Sequence, residues 1–80
     1  MAKTVSSLKI ISRIHVYRAE FKITQQELAD AVGVTRGTII AIEKGNYNPS
    51  LELAFRLSGY FKTGIESLFK IEEDTHEKAE

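Results

Sequence analysis

The chain has 80 residues, eleven Lys and Arg against eleven Asp and Glu, and neither Cys nor Trp. That length holds one small domain, burying only about two thirds of its unfolded surface, and leaves no room for an enzyme with a separate substrate domain. No apolar run approaches the ~20 residues of a membrane helix, the opening residues lack the apolar core of a signal peptide, and without Cys there is neither a disulfide framework nor a thiolate metal site; a cytoplasmic location is expected.

A net charge of zero argues at first against a nucleic-acid partner, but the charge is segregated. Residues 1–69 carry nine Lys and Arg against six acids, a balance of +3, and residues 70–80 carry two against five, a balance of −3. The body is mildly basic and the C-terminal stretch reads as a solvated, frayed tail.

Apolar residues at Leu8, Ile10, Ile11, Ile14, Tyr17 and Phe21 recur at spacings of three and four, which predicts an amphipathic helix from Ser7 to Phe21. Thr24 and Glu27 form a capping box, with Ile23 and Leu28 spaced for a hydrophobic staple, so a second helix is expected to start there and run to about Val32. Gly33 supplies a left-handed turn. Thr35 then caps a third helix to Lys44, where Gly45 stops it. The loop Gly45-Asn46-Tyr47-Asn48-Pro49 leads to Ser50, the cap of a fourth helix over Leu51–Phe61. A short fifth helix is expected from Ile65 to Phe69. No strand-like alternation of useful length is apparent, and the expectation is five helices in one domain, all-α.

The second and third helices have about two turns each and are marginal alone. The three-residue joint Gly33-Val34-Thr35 forces a sharp crossing, the arrangement of a helix-turn-helix. Ala29 is small where the two helices approach, and Leu28, Val32, Val34, Ile39 and Ile42 are spaced for a shared core, with Leu53 and Leu57 joining it from the fourth helix.

The run Gln25-Gln26-Glu27-Leu28-Ala29-Asp30-Ala31-Val32-Gly33-Val34-Thr35-Arg36, with Thr38-Ile39, Ile42-Glu43-Lys44-Gly45, Tyr47-Asn48-Pro49-Ser50 and Leu53-Ala54, resembles the phage-repressor helix-turn-helix family (Cro-type, also called XRE-type). The resemblance covers roughly residues 10–69. It implies a five-helix, lambda-repressor-like DNA-binding domain at residues 7–69, between an N-terminal arm at 1–6 and the acidic tail at 70–80. It also implies a dimeric transcriptional regulator, with the second helix across the DNA backbone and the third in the major groove.

On that placement Arg36 reaches furthest and can grip guanine O6 and N7 with its planar fork. Thr38 can touch a thymine methyl, a base edge or a phosphate, and Ile40 and Ala41 offer apolar contacts suited to thymine methyls. Gln25 and Gln26, at the start of the second helix, are expected on a phosphate. Lys44, Asn46 and Asn48 are expected to hold phosphates after the third helix, Tyr47 to stack or bond a phosphate, and Thr35 to add a phosphate contact to its capping role. These contacts position the protein, whereas the groove contacts specify sequence. The chain departs from the family where Gly37 replaces a long polar reader, at a helix-propensity cost of up to about 1 kcal/mol, and where Lys22 replaces a glycine at the end of the first helix.

No catalytic set, cofactor or metal is expected: His15 and His76 are isolated surface or tail residues, and neither a Ser/His/acid set nor a phosphate loop is present. Tyr17 reads as a half-buried ring. Because one short helix reads few base pairs, a homodimer on a two-fold related double-stranded operator is expected, with its recognition helices about 34 Å apart. Ile65, Leu68, Phe69 and Ile71 are the candidate interface groups, with Phe21 and the Val5/Leu8 face as alternatives. The competing expectation is a protein-interaction module that keeps the fold with weak or no DNA binding.

Overall fold

The computed structural model describes residues 5–75, in the order β1 (Val5–Ser12), α1 (Ile14–Phe21), α2 (Gln25–Val32), α3 (Arg36–Lys44), α4 (Leu51–Phe61), α5 (Ile65–Leu68) and β2 (Phe69–Thr75). The five expected helices are present, but the chain is not all-α. β1 and β2 pair antiparallel, with Ile10 opposite Ile71 and Ser12 opposite Phe69.

This ribbon corrects two expectations. The first helix begins at Ile14 rather than Ser7, and the acidic segment read as a frayed tail is a strand as far as Thr75; His76 lies outside the described residues. Leu8, Ile10 and Ile11 fit either period, so the apolar pattern alone does not separate helix from strand there. Their β-branched content suits a pleated surface, and Phe69 and Ile71, alternating with Lys70 and Glu72, supply a partner strand some sixty residues away in the chain. The Arg13 amide donates to the Leu68 carbonyl at 2.7 Å, joining the foot of β1 to the end of α5. The buried Ser12 hydroxyl accepts from the Ile14 amide at 3.2 Å, turning the chain from strand into helix.

The helix caps follow from the sequence. Thr24 Oγ1 accepts from the Glu27 amide at 3.0 Å while Glu27 Oε1 accepts from the Thr24 amide at 2.8 Å, completing the capping box of α2. Thr35 caps α3 through the Thr38 amide at 3.3 Å, and Ser50 caps α4 through the Leu53 amide at 3.1 Å. Gly33, at φ +80°, ends α2 in the left-handed region, where a side chain would be strained. Lys22 and Lys62 take the same conformation at the ends of α1 and α4. The chain therefore tolerates at Lys22 a backbone strain that glycine would relieve.

Ile14, Leu28, Ala29, Ile39, Leu57 and Leu68 are completely buried, with Val32, Ile42, Leu53 and Phe61 nearly so, and together they form one core. Tyr17 is half-buried, its ring 5.7 Å from that of Phe61. Phe21 meets Phe61 edge-on at 5.0 Å, tying the end of α1 to the end of α4. Such pairs contribute about 0.5–1.5 kcal/mol beyond the area they bury. Among the described residues no helix is long and apolar enough to cross a membrane.

Candidate nucleic-acid interface

α3 divides its residues between two environments. Ile39 and Ile42 face inward and are buried, whereas Arg36, Gly37 and Lys44 are exposed and Ile40 and Ala41 are half-exposed. The helix therefore turns outward a face with a cation at each end and apolar groups between them. Arg36 and Lys44 are separated by about 12 Å of helix rise. The α2–α3 turn is closed by the Gly33 and Val34 amides, which both donate to the Ala29 carbonyl, at 2.9 and 3.0 Å. Ala29, wholly buried, lets the two helices approach.

A polar network fixes this unit to α1. Arg18 forms a two-pronged ion pair with Glu43, Nε to Oε2 at 2.8 Å and Nη2 to Oε1 at 3.2 Å. Arg18 Nη1 also donates to the Ile23 carbonyl at 3.2 Å. Gln25 Nε2 donates to Glu43 Oε1 at 3.0 Å, so the end of α3 is bonded to the start of α2. Burial pushes the Glu43 carboxyl up, but the hydrogen bonds from Arg18 and Gln25, the Arg18 charge and a smaller influence of His15 outweigh it and hold Glu43 below its ordinary value. The hydrogen bond to Glu43 holds Arg18 above its ordinary value against the opposing effect of burial.

The expected contact residues separate into groups. Gln25 keeps one amide hydrogen beyond its bond to Glu43. Gln26 is exposed and its amide donates to Asp30 at 2.9 Å along the same helix face. The hydroxyls of Thr35 and Thr38 lie 3.1 Å apart, so the cap of α3 and the neighbouring candidate reader share one hydrogen bond. The Asn46 amide donates to the Ala41 carbonyl at 2.9 Å and extends the end of α3 into the loop. Asn46, Tyr47 and Asn48 are all exposed beyond it. Tyr47 and Thr38 border one shallow depression with Val34 and Ser50, whereas Asn48 borders a second one with Pro49, Leu51 and Ile71.

Sequence reasoning missed the positioning role of Arg18, Glu43 and Arg56. Arg56 Nη1 donates to the Val32 carbonyl at 3.1 Å, holding the C-terminal end of α2, while its partner Glu52 sits at 2.5 Å on an exposed surface where an ion pair adds little. A signal for Glu43 existed: a carboxylate in the last turn of a helix opposes the helix dipole and calls for a cation nearby. Among the described residues no three His, Asp or Glu side chains converge where a metal ion could be held.

A family model described as helix-turn-helix matches residues 14–73. An uncharacterized HTH-type transcriptional regulator of Archaeoglobus fulgidus is 49% identical over 63 residues, covering 79% of this chain and 89% of the relative. Another from Methanocaldococcus jannaschii is 49% identical over 63 residues, covering 79% of this chain and 96% of the relative. The cryptic phage CTXphi transcriptional repressor RstR of Vibrio cholerae is 35% identical over 57 residues, covering 71% of this chain and 51% of that protein.

Proposed function

The chain belongs to the XRE-type helix-turn-helix family of DNA-binding transcription regulators, and on that premise we propose that it is a sequence-specific, homodimeric repressor that sets α3 into the major groove of a two-fold related operator. One observation carries this reading: α3 buries Ile39 and Ile42 and turns Arg36, Ile40, Ala41 and Lys44 outward. Arg36, Thr38, Ile40 and Ala41 are the proposed base contacts. Gln25, Gln26, Thr35, Lys44, Asn46, Tyr47 and Asn48 are the proposed phosphate contacts. The assignment as a repressor accords with one relative's being a phage transcriptional repressor; promoter occlusion and a cytoplasmic location are proposed along with it.

Phosphate neutralisation makes affinity fall steeply with salt. If a dimer neutralises about four to six phosphates, binding to a mixed-sequence duplex weakens by roughly 10²–10³-fold between 50 and 200 mM salt. Fluorescence anisotropy across that range tests it. No binding at low salt would favour the protein-interaction module instead.

The homodimer is supported by uncovered apolar surface. Leu51 is 71%, Ile71 63% and Phe55 60% exposed, and an apolar groove runs between Ile10, Pro49, Leu51, Ile65, Phe69 and Ile71. Leu68 is completely buried in its own core and cannot serve as an interface group, whereas Phe21, though packed against Tyr60 and Phe61, stays 44% exposed and with the exposed Leu8 remains the alternative face. Sedimentation equilibrium of the parent is expected to show a dimer at tens of micromolar, and Ile71→Lys a monomer. A parent that stays monomeric both with and without operator overturns the dimer.

A further inference from the structure

The two sides of β1 differ. Ile10, with Phe69 and Ile71 of β2, lines the apolar groove, whereas Lys9 and Ile11 alternate to the opposite side. There Lys9 borders a shallow depression with His15 from the start of α1 and with Glu43 and Lys44 from the end of α3. Lys9, His15 and Lys44 are exposed, and among the described residues none of the three takes part in an ion pair. Glu43, the acid that borders the depression, is already held by Arg18 and Gln25. Glu72 stands opposite Lys9 across the ribbon, but both are exposed, where such a pair adds little. The depressions beside α2 and α4 differ: they share one cation, Arg56, which is bonded to Val32 and Glu52.

Basic side chains gathered from three elements around one depression leave a place that an anion fills favourably. Its position suggests which anion. Lys44 is the last residue of α3, at the end of the outward face, and Gln25 reaches the same corner through its bond to Glu43. A duplex that receives α3 in its major groove brings a phosphate backbone along each rim of that groove, and this corner lies beside one rim. We propose that Lys9 and His15 join Lys44 in a cradle for a phosphate of the operator backbone, at the flank of the base pairs that α3 reads. Lys9 contributes a cation, and His15 a ring N–H, a donor in either protonation state. The β-ribbon then has two roles, with one side on DNA and the apolar side left to the second copy. This proposal rests on the DNA-binding reading above.

The test uses the full chain and an operator selected from randomised duplexes. Failure of the parent to enrich any duplex defeats the DNA-binding reading itself and is distinct from failure of the cradle. Given an operator, each phosphate of a half-site is replaced in turn by an uncharged methylphosphonate. The parent is expected to lose affinity at one flanking phosphate to which Lys9→Gln and His15→Ala are both indifferent. Lys9→Gln is also expected to reduce the steepness of log affinity against log salt by about 0.9 per bound protomer, with base preference and Tm unchanged. His15→Ala is expected to weaken binding roughly fivefold, the worth of one hydrogen bond. Lys62→Gln removes a cation that does not border the depression and is expected to keep the parent's salt dependence. The cradle is overturned if either Lys9→Gln or His15→Ala keeps the parent's methylphosphonate profile. It is also overturned if Lys62→Gln flattens the salt dependence as much as Lys9→Gln, since net charge alone would then account for the effect. Acetylation footprinting of the parent needs no variant protein: the operator is expected to protect Lys9 and Lys44 but not Lys62, and a Lys9 left unprotected overturns the proposal.

Discussion

Replacing Glu43 with alanine is expected to destabilise the domain by about 3 kcal/mol, the lower end of the cost of removing one partner from a buried ion pair. The Glu43 side chain is 9% exposed and accepts from three nitrogens, on Arg18 and Gln25. Without it the Arg18 guanidinium, itself only 22% exposed, keeps a single protein acceptor, the Ile23 carbonyl. Three elements are released together: the end of α1, the start of α2 and the end of α3. For a domain of this size the expected fall in Tm is roughly 15 °C. A variant melting within about 2 °C of the parent would show that the network is peripheral.

The same carboxylate predicts an acid limb in the stability. Its folded-state value lies below the ordinary 4.5, so the unfolded chain takes up the proton first as pH falls. The stabilisation is therefore fully present above about pH 4.5 and is lost progressively below it. Glu43→Gln preserves shape but removes the charge. Its deficit relative to the parent should be largest near neutral pH and shrink as the pH is lowered from about 4.5. A deficit that stays constant from pH 6 to pH 3 would contradict the role of the charge.

What the sequence discloses and what it hides divide along physical lines. Thr24 with Glu27, Thr35 and Ser50 are local signals, since each cap acts within three residues, and each helix begins where its cap dictates. Gly33 marks the joint because only a local backbone requirement places it there. The β-ribbon is non-local: Ser12 meets Phe69 across 57 positions, and nothing near Leu8 or Ile10 reveals that a partner exists. Arg18 and Glu43 are 25 residues apart, and an arginine on the wetter side of a helix reads as solvated until the fold supplies its acceptor. The outward face of α3 is legible because it is the complement of a core that periodicity already identifies. Contacts between distant elements must be seen in the fold.

Arg36→Ala is expected to lower affinity for the selected operator by about 1–3 kcal/mol, roughly 5- to 150-fold, while leaving Tm within about a degree of the parent. Stability should be indifferent because Arg36 is exposed in the first turn of α3, and the cap of that helix is Thr35. The effect on binding should be selective. If the guanidinium spans guanine O6 and N7, its removal equalises the four base pairs at one position of each half-site and leaves discrimination elsewhere intact. Arg36→Lys separates charge from geometry: lysine keeps the cation but lacks the rigid fork that matches two acceptors at once. That variant should retain most of the non-specific affinity for mixed-sequence duplex and its salt dependence, yet lose most of the preference for guanine. If Arg36→Lys instead keeps the full preference, the contact is one of charge alone and Arg36 belongs with Lys44 among the phosphate-binding groups. If Arg36→Ala binds with undiminished affinity and selectivity, α3 reads its operator through other residues.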